Sequence, residues 1–88
     1  MAFHLDFTDV ALEDIAKHKK AGNKALLNKI LTLLEELKEH PFKGIGKPEP
    51  LKHQLTGYWS RRINKEHRIV YEVINQTVTI HSAYGHYF

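Results

Sequence analysis

Cysteine is absent from this chain of 88 residues, and methionine and tryptophan occur once each. Without a thiol there is no disulfide framework and no thiolate metal site, and nothing calls for an oxidising compartment. Long apolar runs are missing as well, and the start, Met1-Ala2-Phe3-His4-Leu5-Asp6, lacks the basic and apolar segments of a signal peptide. The expectation is a cytoplasmic protein without membrane contact. Three prolines and five glycines are too few for a low-complexity linker, and no internal repeat is visible. A chain of this length is expected to form one domain, residues 1–88, near the size at which a single core just suffices for stability. No HxxxH or HExxH spacing occurs, so neither a metal site nor another cofactor is expected, and Ser60 and Ser82 lack the setting of a hydrolase nucleophile.

What is present is positive charge in one place. The formal net charge is +3, but residues 1–42 carry minus one and residues 69–88 carry minus one, whereas residues 43–68 carry plus five. Lys43, Lys47, Lys52, Arg61, Arg62, Lys65 and Arg68 stand there against only Glu49 and Glu66. A localised basic segment is the electrostatic footprint expected of a nucleic-acid binder.

Taken in order, Phe3 to Phe7 alternates apolar and polar residues, as a short edge strand does. Thr8 is placed to cap a helix with Asp9, Glu13 and Asp14 early and Lys17, Lys19 and Lys20 late, and with Leu12, Ile15 and Ala16 as its inward stripe. Gly22 ends that helix, and Asn23 caps a second that runs to about His40, where Pro41 forbids continuation. Its stripe of Leu26, Leu27, Ile30, Leu31, Leu34 and Leu37 reads as core packing rather than a coiled-coil surface, because a sheet needs covering. Lys43 to Lys47 lacks the frame of a phosphate-binding loop and reads as a flexible connector. Strands follow at Tyr58 to Asn64, Arg68 to Ile74 and Thr77 to Ala83, joined by turns at residues 64–67 and 75–76. The middle one is apolar on both faces and therefore central. The class is α+β: an N-terminal strand and a helical hairpin on a twisted, mainly antiparallel sheet.

The segment Gly46-Lys47-Pro48-Glu49-Pro50-Leu51-Lys52-His53 holds a carboxylate between two prolines, which stiffen the backbone on both sides. Lys47, Lys52, Arg61, Arg62 and Arg68 are suited to a polyanion. Cleaving RNA without a metal needs a base for the 2′-hydroxyl proton, a cation for the charge on phosphorus and an acid for the leaving 5′-oxygen. Glu49 is a candidate base, Arg68 with Arg62 a candidate clamp whose planar forks match phosphate, and His86 a candidate acid among seven histidines. Tyr87, Tyr58 and Trp59 are candidates to stack on a base. Each also has a plainer reading: Glu49 neutralising lysines, Arg68 pairing with Glu66 or Glu72, Trp59 in the core, His86 merely exposed.

Pro41-Phe42, Gly46 to His53, Trp59-Ser60-Arg61-Arg62-Ile63, Glu66-His67-Arg68 with Val70-Tyr71, and His86-Tyr87 closely resemble the YoeB/Txe branch of the RelE-like bacterial toxins. The resemblance implies a RelE-like fold and a ribosome-dependent messenger-RNA endoribonuclease of a toxin-antitoxin system. It implies a cognate antitoxin of the YefM/Axe kind, the 70S ribosome and mRNA as partners, with a homodimer left open. Carried over by residue, it makes Glu49 the general base, Arg68 the phosphate-stabilising arginine, His86 the general acid and Tyr87 the completing tyrosine. It gives Arg62, Lys52 and His53 a part in binding or orienting RNA. The family pattern commonly stops at the His-Tyr pair, whereas Phe88 follows here. The alternative is a non-catalytic module on the same fold, such as a gyrase-directed toxin or a nucleic-acid-binding corepressor.

Overall fold

The structure, a computed structural model, describes residues 2–85. It contains β1 (His4–Phe7), α1 (Asp9–Ala21), α2 (Lys24–Leu37), β2 (Glu49–Pro50), a short 3-10 turn (His53–Leu55), β3 (Tyr58–Arg62), β4 (Arg68–Ile74) and β5 (Thr77–Ser82). The five strands form one sheet in the order β1-β5-β4-β3-β2, with β4 at its centre. β1 runs parallel to β5, and every other pair is antiparallel. This is the α+β architecture the sequence implies.

Local chemistry sets the helix limits. The Thr8 hydroxyl accepts from the Ala11 N–H at 3.1 Å and the Asn23 carboxamide from the Leu26 N–H at 3.0 Å, each satisfying an orphan donor of a first turn. Gly22 ends α1 in the left-handed conformation that costs glycine least. α2 stops at Leu37, short of the expected His40, and its apolar face is buried as core through Leu26, Ile30, Leu33, Leu34 and Leu37. Leu31 is exposed. These side chains pack against Ile69, Tyr71, Val78 and Ile80 of the sheet and against Ile63 just after β3.

The inward face of α1 differs from the expected stripe. Ala11, Asp14 and His18 are buried and Ile15 packs on the core, while Leu12 is 53% exposed and Ala16 lies in solvent. Two polar residues occupy core positions because each has a partner in the chain after β5: Asp14 Oδ2 accepts from the Ala83 N–H at 2.9 Å, and His18 Nε2 lies 2.7 Å from the Ala83 carbonyl oxygen. A buried polar group so satisfied escapes the desolvation cost that otherwise keeps it outside.

The connector between α2 and β2 is fastened, where the sequence reads as flexible. The fully buried guanidinium of Arg61 ties it down, donating to the Glu36 carboxylate and to the carbonyls of His40, Lys43 (2.7 Å) and Ile45 (3.3 Å). Tyr71 donates to the Pro41 carbonyl at 2.6 Å. Glycine is required at two points of this wrap. A Cβ at Gly44 would lie 1.8 Å from Glu36 Oε1, and one at Gly46 2.9 Å from the Arg62 carbonyl, both at positive φ.

Candidate active site

Alternation along β3 sorts its side chains between two faces. Trp59 and Arg61 turn toward the helices, whereas Tyr58, Ser60 and Arg62 turn to the open face, in register with Glu72, Val70 and Arg68 of β4. β2 adds Glu49 opposite Ser60. Glu49, Ser60 and Val70 therefore form one row across three strands, and Arg68 lies one pleat repeat along β4 from that row.

β2 exists as an edge strand because Pro50 cannot donate to a ladder on a second side. The prolines around Glu49 thus place it as well as stiffening it. Arg68 Nη1 lies 3.3 Å from Glu49 Oε1 and 3.1 Å from Ser60 Oγ. The Ser60 hydroxyl is fully buried and accepts from the guanidinium, fixing one edge of the fork. The Glu49 side chain is 48% exposed and that of Arg68 13%, so the carboxylate faces solvent while the cation is set into the sheet. Arg68 pairs with Glu49, not with the Glu66 or Glu72 of the plainer reading.

The remaining expected residues divide by position. Arg62 is exposed and directly opposite Arg68 in the hairpin, so two guanidinium groups serve one end of the open face. Lys47 precedes β2 and His53 opens the 3-10 turn after it; both are exposed and adopt positive φ, 49° and 58°. Such backbone costs energy in a residue with a Cβ and is typical of functional loops. Lys52 is exposed beside His53. Arg61 has no exposed surface, and its donors are spent on the connector. Trp59 lies on the helix face against the core, its ring 5.0 Å from that of Phe42. His86 and Tyr87 lie outside the described residues.

Side chains not singled out in the sequence as site residues hold residues 83–85, which precede that pair. His67 Nδ1 accepts from the Gly85 N–H at 2.8 Å, which fixes that nitrogen as unprotonated, and the Arg68 N–H donates to the Gly85 carbonyl at 2.9 Å. Tyr84 stacks on His18 at 5.1 Å and tilts over His67 at 4.6 Å. With Asp14 and His18 on Ala83, residues 83–85 are held beside Arg68. The one sequence signal was Asp14 and His18 standing four apart on the same helical face as Ala11 and Ile15.

The arrangement offers an exposed carboxylate, an inset arginine, a buried hydroxyl and neighbouring cations on an open face, a set suited to binding a phosphodiester and moving a proton beside it. Among the described residues no three His, Asp or Glu side chains come together as a metal-binding group.

A family model described as "YoeB-like toxin of bacterial type II toxin-antitoxin system" matches residues 7–87. The "Toxin YoeB" of Synechocystis sp. is 46% identical over 81 residues, spanning 92% of this chain and 93% of that protein. Among solved structures, the YoeB dimer from Staphylococcus aureus superposes with a TM-score of 0.83 at 42% identity, covering 99% of this chain and all of that one. A YoeB-YefM complex from the same organism gives 0.82 at 43% identity, with the same coverage.

Proposed function

The chain belongs to the family of YoeB-like toxins of bacterial type II toxin-antitoxin systems, and on that premise we propose that it is a ribosome-dependent mRNA endoribonuclease acting in the cytoplasm. The observation that carries the reading is the contact of Glu49 and Arg68 on the open face, 3.3 Å apart and backed by Ser60.

A messenger phosphate entering beside Arg68 replaces Glu49 as partner of the guanidinium. Glu49 is then free to accept the proton of the 2′-hydroxyl, whose oxygen attacks the adjacent phosphorus. Arg68, with Arg62 across the hairpin, stabilises the charge that builds on the phosphate oxygens. The bond to the 5′-oxygen breaks, and His86 supplies the proton that oxygen needs, with Tyr87 completing the site. The products are a 2′,3′-cyclic phosphate and a 5′-hydroxyl end. Lys47, Lys52, His53 and Arg62 hold the RNA strand along the open face. Trp59 and Arg61 are left out of that set, because they belong to the helix face.

The ribosome contributes geometry. A decoding centre that bends the message brings the 2′-oxygen into line with phosphorus, and positioning of that kind exceeds a single base or acid in effect. The partners follow from the relatives: an antitoxin of the YefM kind, as in the S. aureus complex, and a second copy of the chain, as in the S. aureus dimer. Expression in bacteria tests the reading. Messages trimmed at ribosomal A sites, with growth restored by the antitoxin, are the expected result; intact messages with damaged DNA would contradict it.

A further inference from the structure

The ladder between β4 and β5 slips once: Val70 opposes Ser82 and Tyr71 opposes Ile80, which leaves His81 as the extra residue. Bulges re-aim side chains, and they recur beside active sites. This one is pinned, since the Thr8 hydroxyl donates to the His81 carbonyl at 3.0 Å. The imidazole of His81 sits with Nε2 2.8 Å from Glu72 Oε1, and its ring stacks on Tyr58, centroids 4.8 Å apart and planes at 24°. Tyr58 directly opposes Glu72 in the register. Three strands thus give one side chain each to a cluster that the cleavage chemistry does not use.

Its position relates it to that chemistry. Tyr58 stands one pleat repeat from Ser60, and Glu72 one from Val70, so the cluster lies about 7 Å along the strands from the row containing Glu49. On its outer side the Leu51 N–H donates to the Tyr58 carbonyl at 2.8 Å, and the chain continues into exposed Lys52 and His53. Along the open face the order is Arg62 and Arg68, then Glu49 with Ser60, then the Tyr58–His81 stack, with Lys52 and His53 beyond. Cations at both ends and a ring pair between them suit a single strand whose backbone follows the charge while a base stacks. Packing alone accounts for less: the core lies on the other face, and Tyr58, Glu72 and His81 each keep part of their surface in solvent. Glu72 on one nitrogen of His81 fixes the ring and leaves its other nitrogen edge for the polar edge of a base.

We propose that Tyr58, His81 and Glu72 form a docking site for a nucleobase of single-stranded RNA next to the scissile phosphate. The inference rests on the nuclease reading and extends it to a residue set that influences which codon is cut. The test is steady-state cleavage of a panel of A-site codons on purified ribosomes by the wild type, Tyr58→Phe, Tyr58→Leu and His81→Asn, with melting temperatures and antitoxin affinity measured alongside. Tyr58→Phe, which keeps the ring, is expected to retain most of the affinity that Tyr58→Leu loses. Tyr58→Leu and His81→Asn are expected to raise KM by about five- to a hundredfold, the range for losing one base stack, unequally across codons and with kcat little changed. If Tyr58→Leu does not fold, His81→Asn carries the comparison from a different strand. Unchanged KM and codon profile in folded Tyr58→Leu and His81→Asn would overturn the inference, and so would a loss confined to antitoxin affinity. A wild type that leaves every message intact overturns the nuclease reading and this inference together, whereas a wild type that cleaves beside indifferent variants overturns only the inference.

Discussion

Two arginines show how little residue type alone decides. Arg68 is inset on the open face with a carboxylate and a hydroxyl at one edge, whereas Arg61 is sealed on the helix face among carbonyls and Glu36. Removing Arg61 takes the guanidinium from Glu36, which keeps only the Ile45 N–H, and from three carbonyls, a loss of about 3–5 kcal/mol for breaking a buried pair, out of the roughly 5–15 kcal/mol a small domain has. Arg61→Ala is therefore expected to unfold at a clearly lower urea concentration than the wild type in melts at 25 °C. Arg61→Lys keeps the charge but lacks the fork, so it is expected to be destabilised too. Arg62→Ala, on the exposed side of the same strand, is expected to stay within about 0.5 kcal/mol of the wild type. Tyr71 adds a signature in pH. Burial pushes its phenol above the ordinary 10.0, the Arg61 hydrogen bond and charge pull it back, and Glu36 pushes it up again. Because the folded value is raised, the contribution of the neutral phenol is intact below pH 10 and is lost as pH climbs through the folded value. Tyr71→Phe is expected to flatten that alkaline loss of stability in melts run across the range, while lowering the neutral plateau by about 1–3 kcal/mol because the Pro41 carbonyl loses its donor.

At the scale of elements, α1 does more than cover the sheet. Asp14 and His18 grip both backbone groups of Ala83, which is followed by the segment held against His67 and Arg68. Asp14→Asn retains an acceptor and is expected to behave like the wild type. Asp14→Ala strands a buried N–H, at about 1–3 kcal/mol, and hydrogen exchange at the Ala83 amide is expected to quicken accordingly. Much at this scale was legible in the sequence: both helix caps, four of the six α2 stripe residues (Leu26, Ile30, Leu34 and Leu37, with buried Leu33 missed and Leu31 exposed), the three C-terminal strands to within two residues and the central place of β4 all rest on local periodicity and capping chemistry. The inward face of α1 was not, because Leu12 outranks Asp14 on apolarity, and only the backbone of Ala83, remote in sequence, makes burial of the acid favourable. The connector was misjudged for the same reason, since its rigidity comes from Arg61 and not from its own glycines. Glu49 and Arg68 could be named as partners to one phosphate, but the row that joins them depends on β2, a strand too short for any periodicity to reveal.

The whole molecule divides its labour by face. The helices and the core lie on one side, with Arg61 and Trp59 among them; the other side carries Arg62, Arg68, Glu49 and Ser60, with Lys47, Lys52 and His53 around β2. The positive charge of residues 43–68 is thereby split, part fastening the fold through Arg61 and part exposed on and around the open face. Binding to ribosomes is expected to weaken steeply with added salt, and Arg62→Ala to make that dependence shallower in sedimentation assays. In the proposed reaction the pair on the open face cuts message held by the ribosome. Primer extension of one defined message on purified, programmed ribosomes tests it most directly, with the wild type beside Glu49→Ala, Arg68→Ala and His86→Gln. A discrete cut at the A-site codon is expected for the wild type, and rates lower by about two to four orders of magnitude for each variant, with ribosome binding largely retained. An intact message with the wild type, or a cut of unchanged rate with Glu49→Ala and Arg68→Ala, would contradict it.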